Sequence, residues 1–125
     1  MQQTPVDGGV LRPEVLVDVR PWGQFRQYTH DEPTTVKLIT VEPRQQLSLQ
    51  RHRHRDELWV VLDDGLLVQC GQEQSEAASG QEFFIPRGTV HRVTGGARAG
   101  RFVEICFGCF DENDIERLDD VYGRT

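Results

Sequence analysis

From residue 34 onward the chain reads as short alternating or apolar runs separated by turn formers. TTVKLITV (residues 34–41) puts Val36, Leu38 and Thr40 on one face and Lys37 on the other, because successive side chains of a strand point to opposite sides. LSLQRHRH (47–54) alternates in the same way, with Ser48, Gln50, His52 and His54 sharing a face. ELWVVL, LLVQC, EFFIP, VHRV and RFVEICF follow, all rich in β-formers. Turn signals lie between them at Asp63-Asp64-Gly65, Gly71, Ser79-Gly80 and Thr94-Gly95-Gly96. Short strands at nearly regular spacing, without helical periods between them, predict an all-β antiparallel sandwich or barrel. Near the C-terminus DENDIERLDD carries a helical signature, Asp111 as cap with Ile115 and Leu118 three apart, and a short helix is expected there.

A chain of 125 residues suits a single domain, expected over residues 13–125, after a loosely held tail at 1–12 made of Gln, Thr, Pro and a Gly pair. No apolar run approaches the roughly 20 residues of a membrane span, and the N-terminus lacks the pattern of a secretory signal, so a cytoplasmic address is expected. The formal charge of −6 argues against a general nucleic-acid or membrane surface. Cations are almost all Arg, and Lys37 is the one lysine. Three cysteines, Cys70, Cys106 and Cys109, suggest reduced thiols. The C-x-x-C of Cys106 and Cys109 has no second copy to close a four-thiolate zinc site, and it reads as two small apolar residues near a strand end.

The chemistry concentrates in few residues. His52 and His54 project from one strand face, and Glu57 follows a short connection that can return a carboxylate toward them. GQEFFIPRGTVH adds a sequence-distant His91, aimed by a turn that Pro86 and Gly88 enforce. Imidazoles with a carboxylate suit one divalent ion, zinc, manganese, iron, cobalt or nickel.

The two stretches resemble the paired motifs of the cupin superfamily, G-x5-H-x-H-x(3,4)-E-x6-G and G-x5-P-x-G-x2-H-x3-N. The second is matched from Gly80 to His91, with Gly95 at its final Asn. In the first, Gln46 stands for the leading Gly, the gap from His54 to Glu57 is one short and the gap to Gly65 one long. The resemblance implies a double-stranded β-helix, or jelly-roll barrel, with His52, His54, Glu57 and His91 as metal ligands.

A narrower resemblance, carried by RPWG, VKLITVEP, LSLQRHRHRDELWVV, IPRGTVHRV and DIERLDDVYGR, is to the cupin domain of type II mannose-6-phosphate isomerases. Its H-H-H-R-x-E-H-W appears here as H-R-H-R-D-E-L-W, so Arg53 and Leu58 replace two histidines. The resemblance implies a metal-dependent sugar-phosphate isomerase acting on mannose 6-phosphate. Glu104 would be the base and Lys37 would hold the phosphate or a developing oxyanion, with Arg87 and Gln50 as further substrate contacts. Arg53 and Arg55 are expected to point outward, and Trp22 and Trp59 to serve as packing aromatics. A cupin oxygenase and a non-catalytic sugar- or metal-binding cupin stay open as alternatives. The expected partner is a small sugar phosphate, and a homodimer through edge strands is in keeping with the superfamily.

Overall fold

A computed structural model describes residues 5–6, 10–11, 15–108 and 110–123. Strands β1 (Pro5–Val6) and β2 (Val10–Leu11) pair antiparallel. The rest of the tail expected over residues 1–12 lies outside the described residues, as does Cys109. A hairpin follows, β3 (Leu16–Arg20) and β4 (Gly23–Gln27). The remaining strands are β5 (Thr34–Val41), β6 (Leu49–Arg51), β7 (Arg55–Val61), β8 (Leu67–Cys70), β9 (Glu73–Glu76), β10 (Glu82–Ile85), β11 (His91–Thr94), β12 (Gly100–Gly108) and β13 (Glu116–Asp119).

They form a four-stranded sheet in the order β10-β7-β12-β5 and a five-stranded sheet in the order β13-β6-β11-β8-β9. Apart from the β8–β9 hairpin, the chain from β5 onward changes sheet at each step. This winding is what a double-stranded β-helix means. The inner faces meet in one cluster that draws Val41, Trp59, Val61, Ile85 and Phe102 from one sheet and Val68 and Val93 from the other. Phe102 is 1% exposed, and burying such a side chain contributes about 1.5–3 kcal/mol.

The two-residue period of β7 and β12 sets the polarity of the interior. Val61, Trp59, Glu57 and Arg55 share the inner face of β7, and Phe102, Glu104 and Cys106 that of β12. Register aligns them in rows: Phe102 lies opposite Val61 and Ile39, Glu104 opposite Trp59 and Lys37, and Cys106 opposite Glu57 and Thr35. The interior is therefore apolar at one end and changes to acids, a thiol and cations within two strand residues. Leu58, at the family's histidine position, lies on the other face of β7 across from Ile105 and Phe84, so its side chain is not part of this interior.

The structure departs from the helix expected at DENDIERLDD. Asp111 does act as a cap, its carboxylate accepting the Asn113 amide at 2.9 Å, but it caps a turn. Residues 116–119 then continue as β13. A ten-residue helix with two apolar positions gains little alone, whereas β13 satisfies the open edge of β6 and adds a cross-strand ion pair, Arg51 Nε to Glu116 at 2.9 Å. Three strands, β3, β4 and β9, had no clear sequence signal. β9 has four exposed residues and no apolar one, and the β3–β4 hairpin exposes Val19 and Trp22. Trp22 is thus a solvent-facing turn residue, 73% exposed, not the packing aromatic expected of it. Only Trp59 packs in the core.

The turn after Val41 is seated directly on β11's exit. Arg44 and Gln45 exchange backbone bonds with Gly96 and Gly95 at 3.0 and 2.7 Å, and a Cβ at Gly95 would overlap the Glu42 carbonyl oxygen. Gly95→Ala is expected to destabilise the fold by about 1–3 kcal/mol, read as a lower urea midpoint with unchanged slope. An unchanged midpoint would show that this contact yields freely.

Candidate metal centre

Three of the four expected ligands come together. His52 directly follows β6, Glu57 lies on β7 and His91 begins β11, with 3%, 1% and 1% exposure. One ligand atom from each lies within 4.8 Å of the others. His52 Nε2 is 3.3 Å from Glu57 Oε2, and His91 Nε2 is 3.9 Å from Glu57 Oε1.

Each imidazole is oriented by a backbone carbonyl. His52 Nδ1 donates to the Asp114 oxygen at 2.6 Å and His91 Nδ1 to the Thr89 oxygen at 3.0 Å. Burial holds both rings below the ordinary histidine pKa, outweighing the attraction of Glu57. Neutral rings with Nδ1–H turned outward leave the Nε2 lone pairs facing a carboxylate. Such a grouping of acceptors repels unless a cation stands among them. His91 Nε2 is buried without a hydrogen-bond partner, which is the observation that fits a metal to this set. Two imidazoles and a carboxylate match the donors of open catalytic sites, and they do not single out one first-row ion.

His54 is not with them. The Asp114 carboxylate accepts the backbone amides of Arg53 and His54, both at 2.9 Å, so the chain bends here instead of extending β6. The bend breaks the alternation that would have put His52 and His54 on one face, and His54 ends exposed. The same bend lets β7 start at Arg55, whose period with Glu57 and Trp59 points it inward. Arg55 was expected to face out, yet its side chain is 8% exposed. Its Nε donates to Glu57 Oε2 at 3.0 Å and Nη2 to His52 Nε2 at 3.1 Å. Trp59 Nε1 donates to the other Glu57 oxygen at 2.9 Å.

Glu104 shares this interior at 7% exposure. Burial, reinforced by the charge of Glu57, pushes its pKa up to about 7. Cys106 Sγ sits 3.3 Å from Glu104 Oε1 and 3.9 Å from Glu57 Oε2, and burial with the two carboxylates pushes its thiol up, so it acts as a neutral donor. Lys37 faces inward as expected, opposite Glu104 in register, while Val36 and Leu38 are 59% and 62% exposed. Its Nζ lies 4.5 Å from the centre of the Phe110 ring and 3.4 Å from the exposed Glu112 carboxylate. The same ring lies 4.6 Å from the Arg55 guanidinium. Gln50 lies across from His91 and accepts from Ser48 at 3.1 Å. Arg87 instead grips Asp56 on the opposite face of β7, Nη2 to Oδ2 at 3.1 Å.

Arg55, Cys106, Phe110 and Asp114 were thus absent from the sequence-derived site. Strict counting from Glu57 would have found Arg55 and, from Glu104, Cys106. Asp114 acts on residues about sixty positions away and leaves no local pattern.

Facing sheets wound alternately, with imidazole and carboxylate donors clustered at the polar end of the interior, define a cupin barrel. A cupin protein from Bacteroides fragilis superposes with a TM-score of 0.56 at 13% identity, covering 61% of this chain and 66% of that one. Residues 14–120 match the family of mannose-6-phosphate isomerase C-terminal domains, and the chain belongs to that family. Alginate biosynthesis protein AlgA of Pseudomonas aeruginosa is 39% identical over 108 residues, which are 85% of this chain and 22% of the relative. Xanthan biosynthesis protein XanB of Xanthomonas campestris pv. campestris is 38% identical, over 85% of this chain and 23% of its own length. The chain spans under a quarter of these relatives.

Opposed protonation effects follow from the site. Glu104 titrates near 4.5 when unfolded and near 7 when folded, so the folded state binds the extra proton between these values. Its contribution is complete below pH 4.5 and is lost as pH rises through 7. His52 and His91, held below 6.5, act the other way: the unfolded chain binds more protons there, and stability drops as pH falls below 6.5. Glu104→Gln removes only the first effect. In chelator-treated protein, the stability of this variant relative to wild type should climb between pH 4.5 and 7 and then level off. A difference that stays flat with pH would refute the buried, protonated Glu104.

Proposed function

We propose that this domain is a metal-dependent aldose–ketose isomerase that interconverts mannose 6-phosphate and fructose 6-phosphate. The observation that carries the reading is a buried carboxyl, Glu104, poised near pH 7 beside the His52, Glu57 and His91 donors. Family membership points to the sugar.

Isomerisation moves a proton between C1 and C2 through an enediol. A general base works best with a pKa near the working pH, and Glu104 reaches it through burial and the neighbouring Glu57 charge. His52, Glu57 and His91 would hold the metal, which when bound polarises the carbonyl and hydroxyl oxygens. Lys37 is a loosely held cation of the interior: its ion-pair partner among the described residues, Glu112, is 78% exposed and 3.4 Å away. In this reading it would take the substrate phosphate or an oxyanion. Gln50, across from His91, offers an amide to a sugar hydroxyl. Arg87 is left out, because both its guanidinium and its amide are committed to Asp56. Leu58 in place of the family's histidine removes no group from this interior. A sugar-phosphate substrate goes with a cytoplasmic address.

An oxygenase remains the second reading, since two histidines and one carboxylate are also the donors of non-haem iron oxygenases. The two differ in metal dependence and in the need for Glu104. A coupled assay with mannose 6-phosphate should show turnover with zinc, manganese or cobalt under anaerobic conditions. Glu104→Gln should lower kcat by about 10²–10⁴ while metal content stays at the wild-type value. Lys37→Ala should act mainly on KM. Background turnover by wild type with every ion tried would sink the isomerase reading.

A further inference from the structure

The Arg55 guanidinium occupies atoms that a metal would need. Its Nη2 hydrogen bond uses the single lone pair of His52 Nε2, at 3.1 Å, and its Nε takes Glu57 Oε2 at 3.0 Å. A carboxylate oxygen keeps a second lone pair, but an imidazole nitrogen does not. His52 therefore cannot accept from Arg55 and coordinate an ion at once.

We propose that Arg55 is a resident cation that competes with the metal for His52 and Glu57, giving the centre two alternative filled states. The inference rests on the metal reading above and adds a cost to it: binding requires the guanidinium to leave. Three features of the interior fit such a displacement. Arg55 is held on one side only by an aromatic face, Phe110 at 4.6 Å, over which a planar guanidinium can slide. A second buried carboxylate, Glu104, already feels the Arg55 charge and, among the described residues, has the Cys106 thiol as its hydrogen-bond partner. His91 Nε2, which Arg55 does not reach, is buried without a hydrogen-bond partner, so the guanidinium meets the donor set on the His52 side and not on the His91 side.

The exchange gives the acidic interior a counter-charge of its own. An ionised Glu57 at 1% exposure needs a counter-charge, and Arg55 supplies it until an ion takes over. It also makes the centre selective by strength: an ion that cannot outbid a bidentate guanidinium does not enter.

The test is a calorimetric titration of the full chain, after chelation, with zinc chloride and with manganese chloride. Wild type, Arg55→Met and Arg55→Lys are compared, together with the Arg55 Nε–H resonance of wild type. Freed of its competitor, Arg55→Met should bind zinc at least about tenfold more tightly than wild type, with Arg55→Lys between them. The Arg55 Nε–H resonance, identified by its loss in Arg55→Lys, should be slow to exchange in metal-free protein and should move on zinc addition. Equal or weaker zinc binding by Arg55→Met, or a resonance unmoved at saturating zinc, overturns the exchange while leaving the metal centre standing. Binding by neither wild type nor Arg55→Met removes the metal reading and this one with it. If Arg55→Met does not fold, the resonance alone decides.

Discussion

Lone pairs of two buried imidazoles converge on a buried carboxylate in this protein, and the centre is tolerable only with positive charge among them. His52 and His91 are held neutral by burial, and their Nδ1–H groups are anchored to carbonyls, so neither ring can turn its acceptor away. Removing the partner of a buried charge costs about 3–5 kcal/mol, far more than a surface ion pair returns. That inequality accounts for Arg55 inside the barrel, and the bare His91 Nε2 is the feature that fits a cation to the set. Glu104 answers the same pressure differently: with no cation among the described residues bonded to it, burial and the Glu57 charge push its pKa up to about 7.

The barrel supplies the geometry for this by splitting its interior along the strand axis. Trp59 stands at the boundary, its ring against Phe102 on the apolar side at 5.1 Å and edge-on to His91 on the polar side at 5.4 Å. Its indole N–H is spent on Glu57. A single side chain thus joins the apolar core to the centre, and packing below fixes the carboxylate above. On the far side the C-terminal segment closes the arrangement through Asp114, which bends the chain at Arg53 and His54 and anchors His52, and through Phe110, which covers Arg55 and Lys37.

Much of this was legible in the sequence because strands write their faces at a period of two. The strands from β5 to β12, β9 excepted, the turns at Gly65, Gly71 and Gly80, and the inward Lys37 all follow from local alternation and turn chemistry. Three departures share one cause. His54, Arg55 and β13 depend on Asp114 and on the unpaired edge of β6, contacts made across some sixty residues, and alternation is silent about them. The alternation of LSLQRHRH was sound only while the strand lasted, and it stops at Arg51. Restarted at Arg55, the same rule places Arg55, Glu57 and Trp59 correctly. β9 failed for a simpler reason, since an exposed polar edge strand has no apolar face to reveal.

The most direct measurement is anomalous diffraction at the zinc edge from crystals of the full chain grown with zinc. The account predicts one strong interior peak bonded to His52 Nε2, His91 Nε2 and Glu57, with the Arg55 guanidinium displaced from His52. An interior without a peak, or a peak at the exposed His54 with Arg55 still on His52 and Glu57, would contradict it.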